Sequence, residues 1–213
     1  MCAFRYDRRE IPEVPREERS VAFGEILDPY TREEAVLEAQ RCLACAMPFC
    51  VQACPITQDC RGYLALIAQE RFDDAARLTL RENPLANVLC KTCYHYCEEE
   101  CVMYPRGGAI AIRHLKRAAL EFGKSDLEYT PSVPKNQRIA VIGGGPTGIA
   151  AAWDLALRGY SITLFEAEPL LGGQILTIPK YHLAGDELDT DLARFRGLDV
   201  KFVVGRKAGA GFT

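Results

Sequence analysis

The sequence predicts two units in series: a helical unit wrapped around cysteines, then the opening of an α/β unit of Rossmann type. Three observations predict it. Nine of the ten cysteines fall between Cys42 and Cys101. Before residue 137 the apolar residues recur at helical spacing, with no convincing alternating strand. After it, a β-type run, a glycine-rich turn, a helix and a second β-type run follow in the order of a β-α-β unit.

Residues 1–30 are polar, contain Pro12, Pro15 and Pro29, and read as an extended arm. A helix is expected from Thr31, where Thr-Arg-Glu-Glu forms a capping box with Glu34. Ala35, Val36, Ala39 and Leu43 share its apolar face, and the helix delivers the chain to Cys42. Tyr63, Leu64, Ile67 and Ala68 mark a second helix. Asp73–Arg81 marks a third, stopped by Asn83-Pro84. A fourth spans Ile110–Phe122, with Ile112, Leu115, Ala119 and Phe122 on one stripe and Gly123 past its end. Gly123–Gln137, with Ser125, Pro131, Ser132, Pro134 and Asn136, reads as a linker. Beyond it, Arg138–Ile142 is a β-type run, Gly148–Arg158 a helix ended by Gly159, and Ser161–Phe165 a second β-type run. Asp199–Val204 is a candidate third strand. The expected division is 1–126 for the cysteine unit, 127–137 for the linker and 138–213 for an incomplete dinucleotide-binding unit.

Composition narrows the function classes. Over 213 residues, 48% are hydrophobic and 26% charged, as in ordinary globular chains. A formal net charge of −3 gives no electrostatic case for nucleic acid or an anionic membrane. Apolar runs such as Leu64–Ala68 and Ile139–Ile142 are far too short to cross a bilayer. Met1–Glu10 has no apolar core of a secretory signal. A cytoplasmic location is therefore expected, and with it a metal site instead of disulfides.

The cysteine spacing carries the chemistry. Cys42, Cys45, Cys50 and Cys54 read C-x2-C-x4-C-x3-C, with Pro55 next; Cys90, Cys93, Cys97 and Cys101 are spaced x2, x3, x3. A tight C-x2-C turn presents two thiolates from one loop, and a cysteine just before proline typically ligates the other cluster of a pair, because the chain is leaving the first. Two groups, one ending in Cys-Pro, fit two 4Fe–4S clusters with crossed ligation. Zinc is the competing reading, since C-x2-C is also a zinc knuckle, but paired knuckles do not account for eight cysteines and the Cys-Pro ending. Cys2 reads as incidental and Cys60 as a buried thiol that is not a ligand. Cys90 is a possible ligand. His95 could ligate a metal, although a lone histidine in a loop usually does not; His114 and His182 lack a partner at ligand spacing, and Glu98, Glu99 and Glu100 read as a solvated run.

Gly143, Gly145 and Gly148 form G-x-G-x-x-G with Pro146 inside it, after a β run and opening a helix. Glu166 ends the next β run, 18 residues beyond Gly148, where an acidic side chain takes a ribose hydroxyl. The loop alone leaves FAD and NAD(P) both open. No Ser/His/Asp or paired-carboxylate pattern suggests a hydrolase, and no catalytic residue is assigned.

With both halves in view, the chain resembles the family of the glutamate synthase small subunit and the N-terminal region of dihydropyrimidine dehydrogenase. The resemblance is carried by Arg41-Cys42-Leu43-x-Cys45, Cys54-Pro55, Asn83-Pro84-Leu85 and Cys93-x3-Cys97-Glu98. It continues through Ile110–Lys116, the glycine loop, Gly172-Gly173 and Ile178-Pro179-Lys180-Tyr181. It implies an α-helical ferredoxin-like domain followed by the start of an FAD-binding domain, the paired glycines and the first loop holding FAD. It also implies one cluster on Cys42, Cys45, Cys50 and Cys101, and another on Cys54, Cys93 and Cys97. The fourth ligand of the second stays open. The family position falls on Lys116, whose protonated amine has no lone pair to give; Cys90 and solvent are alternatives. The implied role is electron transfer between NAD(P)H, FAD and the clusters to a partner subunit or domain. A second G-x-G-x-x-G for NAD(P)H does not occur in these residues, so the chain reads as part of a longer polypeptide, inactive with NAD(P)H by itself. The rival expectation is a non-enzymatic, cysteine-rich adaptor holding iron–sulfur or zinc and docking a larger reductase.

Overall fold

The computed structural model describes residues 7–22, 24–124 and 131–209. Cys2 and residues 127–130 of the expected linker lie outside them. The chain divides into two compact units, one of residues 1–126 with 180–184, the other of 127–179 with 185–213. No helix among the described residues is long and apolar enough to cross a membrane.

The first unit is helical, and its only strand-like pairing among the described residues is an isolated bridge between Glu13 and Leu27. It comprises α1 (Arg16–Ala22), α2 (Arg32–Ala39), α3 (Phe49–Ala53), α4 (Cys60–Ala68), α5 (Phe72–Glu82), α6 (Ala86–Thr92), α7 (Tyr96–Glu99) and α8 (Ile112–Phe122). The N-terminal arm differs from expectation, since α1 interrupts the extended chain. The capping box on α2 forms in both directions: Glu34 N donates to Thr31 Oγ1 at 3.2 Å and Thr31 N to Glu34 Oε2 at 2.9 Å. α2 stops at Ala39, so Leu43 lies past its end and is half exposed. α4 starts at Asp59, whose carboxylate accepts from Gly62 N at 2.8 Å. Helices α4, α5 and α8 pack on one another around Tyr63, Leu64, Ile67, Phe72 and Leu115, all buried. Burying such side chains contributes about 1.5–3 kcal/mol each, the main stabilisation of a unit built from short helices.

The second unit holds a three-stranded parallel sheet of β1 (Arg138–Ile142), β2 (Ser161–Phe165) and β3 (Val200–Val203), in that spatial order. Ile142 pairs with Phe165, and Ile162 with Val200. Between β1 and β2 runs α9 (Pro146–Leu157), which buries Ile149, Ala152, Trp153 and Ala156. A 3-10 turn (Gly173–Thr177) and α10 (Glu187–Ala193) lie between β2 and β3. This is a β-α-β unit of Rossmann type extended by a third parallel strand.

Candidate functional site

Cys42, Cys45, Cys50 and Cys101 line a single cavity, together with Phe49, Leu64, Ile110 and other apolar side chains. All nine described cysteines are free thiols. Cys42 sits just past α2 and Cys45 three residues on, the turn between them passing through Ala44 at a φ of 49°. Cys50 is the second residue of α3, and Cys101 lies two residues past the end of α7. Burial pushes the Cys42 thiol up against a backbone hydrogen bond at Ala44, and the charges of Cys50, Cys101 and Cys45 push it further. Four sulfurs gathered on one largely apolar cavity form a donor set for a soft metal or an iron–sulfur core.

The cavity is held from behind by a buried ion pair absent from the sequence reading. Glu38 and Arg41 are 0% and 1% exposed, with Arg41 Nη1 donating to Glu38 Oε1 at 2.6 Å. Arg41 Nη2 donates to Gly108 O at 2.7 Å, while the Glu38 carboxylate accepts from Ala111 N and Arg9 N, each at 3.0 Å. The network ties the segment before Cys42 to the segment after Cys101. Glu98 is the second surprise. It is buried, accepting from Arg8 Nη2 at 2.8 Å and from Arg113 N at 3.0 Å, whereas Glu99 and Glu100 are exposed as a solvated run would be. The signal that could have found both pairs is an acidic residue adjoining each cysteine group with an arginine in reach.

Cys54, Cys60 and Cys97 form a second cysteine neighbourhood. The Cys60 thiol reaches Cys54 and holds its pKa down to about 5, against the opposing effect of burial, with smaller help from backbone hydrogen bonds at Gln58 and Ile56 and from the Lys116 charge. Cys60 acts in the same way on Cys50, lowering it to about 7. Its own thiol is pushed far up by those contacts with Cys50 and Cys54, and by Cys97. Cys93 caps the end of α6; its sulfur accepts from His95 N at 3.2 Å and its carbonyl from Arg113 Nη1 at 3.2 Å. Cys90 faces elsewhere. Its sulfur donates to Asn87 O at 3.0 Å, and it lines a separate cavity with Glu25, Lys91, Arg113, His114 and Arg117. Lys116 is buried on α8. Among the described residues, no three His, Cys, Asp or Glu side chains gather as around one metal ion.

In the second unit the glycine loop, Glu166 and the paired glycines come together at the C-terminal end of the sheet. Gly143, at a φ of 100°, leaves β1, and its N–H donates to Phe165 O at 2.8 Å. Gly145 caps α9 and Pro146 takes the first helical position, where its missing N–H costs nothing. A Cβ on Gly148 would stand 1.8 Å from Gly143 O, so only glycine lets α9 pack on the loop. The Glu166 carboxylate accepts from Gly144 N at 2.6 Å and Glu168 N at 2.8 Å. Those backbone bonds, the Glu168 one first, hold its pKa below the usual carboxylate range. Gly172 N donates to Gly144 O at 2.8 Å, and Gly173 faces Gly145 backbone to backbone, with a Cβ on Gly145 meeting nothing nearer than Gly173 Cα at 4.0 Å. The result is a glycine-lined cradle at a helix N-terminus, an arrangement that takes a pyrophosphate.

Comparison with known proteins adds the following. Residues 19–126 match the family described as dihydropyrimidine dehydrogenase domain II, 4Fe–4S cluster, and residues 141–200 match an NAD(P)-binding Rossmann-like domain. The chain is 30% identical to the glutamate synthase [NADPH] small chain of Escherichia coli (strain K12), over 95% of this chain and 44% of that protein. It is 30% identical to the NADP(+)-dependent formate dehydrogenase subunit beta of Moorella thermoacetica, over 77% of this chain and 27% of that one. It is 34% identical to the putative oxidoreductase YgfK of Escherichia coli (strain K12), over 76% of this chain and 16% of that one. The chain thus spans less than half the length of each of these relatives.

Proposed function

The chain belongs to the dihydropyrimidine dehydrogenase domain II 4Fe–4S family, and from that premise we propose that it is the electron-transfer part of an NAD(P)H-dependent iron–sulfur flavoprotein oxidoreductase. In this reading residues 1–126 form a ferredoxin-like domain with two 4Fe–4S clusters, 127–137 a connection, and 138–213 the start of an FAD-binding domain. Electrons pass between NAD(P)H, FAD and the clusters to a partner subunit or domain, in the cytoplasm.

The observation that carries the reading is the single cavity lined by Cys42, Cys45, Cys50 and Cys101. Its sulfurs come from separated stretches of chain, and apolar side chains line most of the rest of the cavity. Cys54, Cys93 and Cys97 are the proposed thiolates of the other cluster. Gly143, Gly145, Pro146 and Gly148 would hold the FAD pyrophosphate, Gly172 and Gly173 would close over it, and Glu166 would accept from a ribose hydroxyl. When bound, the clusters supply one-electron carriers and FAD the exchange between hydride and single electrons. The residues of the chain bind, space and insulate those groups. NAD(P)H would bind in a region outside these residues. The cradle also weighs against the adaptor reading, since a docking module has no use for a dinucleotide loop.

The test is electron transfer itself. Protein purified without oxygen is reduced with dithionite, freed of excess reductant and mixed with a one-electron acceptor in a stopped-flow instrument. Reoxidation of about two electrons per chain from the clusters is expected. A zinc-loaded protein that passes no electrons would sink the proposal.

A further inference from the structure

Between Cys97 and Cys101, proposed ligands of different clusters, the chain carries one buried carboxylate. Glu98 is 5% exposed, and its contacts reach both ligand sets. Its backbone carbonyl accepts from Cys101 N at 3.2 Å. Its Oε1 accepts from Arg113 N at 3.0 Å, satisfying a first-turn donor of α8 that the N-cap Ala111 has no polar side chain to meet. Arg113 in turn donates from Nη1 to Cys93 O at 3.2 Å. Glu98 Oε2 accepts from Arg8 Nη2 at 2.8 Å, while His95 Nδ1 stands off at 4.0 Å. Arg8 is itself pinned, its backbone N–H donating to Gly107 O at 2.7 Å. A charge this buried is weakly screened and acts strongly on its neighbours. Net charge is also one of the levers a protein has on the potential of an iron–sulfur cluster. An unbalanced carboxylate here would favour the oxidised clusters and lower their potentials, and the guanidinium opposite it cancels that effect. Glu99 and Glu100, which are exposed, are screened by water and salt.

We propose that the Arg8–Glu98 pair positions and charge-balances the electron relay. Glu98 fixes the turns carrying Cys93 and Cys101 against each other, and Arg8 neutralises it, which keeps the cluster potentials from falling. This inference rests on the electron-transfer reading above. It makes Arg8, which is not a proposed ligand and comes from the far end of the sequence, a determinant of cluster potential.

The test is a redox titration followed by electron paramagnetic resonance on chains purified without oxygen, with iron and acid-labile sulfide measured on each sample. Wild type is compared with Arg8→Met, Arg8→Lys, Glu98→Gln and the double variant Arg8→Met/Glu98→Gln. Arg8→Met strands the carboxylate and is expected to shift the one-electron equilibrium of the clusters roughly tenfold toward the oxidised form, about 59 mV downward. Glu98→Gln strands the guanidinium instead, and a shift of similar size upward is expected. The double variant is expected to return toward wild type, and Arg8→Lys, which keeps the charge, to stay near it. Iron content is expected to hold in Arg8→Met and Arg8→Lys. Single variants that shift in the same direction, or lose iron without moving the potential, would show a merely structural pair and overturn the proposal. Should Glu98→Gln fail to assemble clusters, Arg8→Met decides alone, because the Arg8 side chain is 28% exposed and its loss opens no deep cavity. A potential unchanged or raised in Arg8→Met would then overturn the proposal. Wild type with clusters but unshifted variants would remove this inference only. Wild type without sulfide would remove the electron-transfer reading beneath it as well.

Discussion

Glu38→Gln should be among the most damaging single changes in the helical unit, although Glu38 is not itself a proposed ligand. Its carboxylate is fully buried, accepts from Arg41 and satisfies the backbone N–H groups of Ala111 and Arg9. Glutamine keeps the shape but removes the charge that balances Arg41, and its NH2 group must face at least one N–H donor. Breaking a buried ion pair from one side costs about 3–5 kcal/mol, since the remaining charge is stranded. An orphaned backbone donor accounts for about 1–3 kcal/mol within that range. Against a typical total stability of about 5–15 kcal/mol, this is a large fraction. Urea unfolding followed by circular dichroism gives the difference directly, and iron content should fall in parallel, because the network joins the approaches to Cys42 and Cys101. The double variant Glu38→Gln/Arg41→Met should recover part of the loss. As a control, Asp154→Ala removes an exposed ion pair with Arg158 and should cost less than about 0.5 kcal/mol. A loss below about 1 kcal/mol for Glu38→Gln would refute the argument.

The remaining predictions concern the cradle and pH. Gly145→Ala should leave thermal stability unchanged, since its Cβ meets only Gly173 Cα at 4.0 Å, yet weaken FAD binding by filling the space meant for the pyrophosphate; equal FAD affinity by calorimetry would contradict the cradle. Gly148→Ala should instead lower the melting temperature, because its Cβ would stand 1.8 Å from Gly143 O. Glu166→Ala should weaken ADP binding roughly tenfold, the worth of one charge-assisted hydrogen bond, and isothermal titration reads the change. His114 is held down to about 3, first by burial and then by Arg113 and Arg117. The unfolded chain binds this proton near 6.5 and the folded chain does not, so stability should decline as pH falls from about 6.5 toward 3. His114→Phe should flatten that part of the pH–stability curve in denaturation midpoints; an unchanged slope would count against the burial argument.

What the sequence could reveal follows from the length over which each signal repeats. The α2 capping box, the ends of β1 and β2 and the body of α8 were legible because a cap, a period of two or three turns of amphipathic helix states them locally. Helices α3, α6 and α7, of five, seven and four residues, are too short to display a 3.6-residue period, and α1 hides behind Pro15 in a polar stretch. The glycine loop was readable because its motif is local, and Gly148 in particular answers a steric demand that only glycine meets. Buried charge was not. Glu98 sits in a run of three glutamates, and only the fold brings Arg8 from 90 residues away to pair with it. Lys180–Ala184 likewise reads as part of the α/β unit along the chain, yet clusters with the helical one, where Ile26 N donates to Tyr181 O at 3.3 Å. Such pairings depend on contacts between distant residues, which no local pattern encodes.

The central claim is that these cysteines hold iron–sulfur clusters. Iron, acid-labile sulfide and zinc measured on one sample purified without oxygen test it most directly. The account predicts about eight irons per chain with matching sulfide. Zinc without sulfide would contradict it.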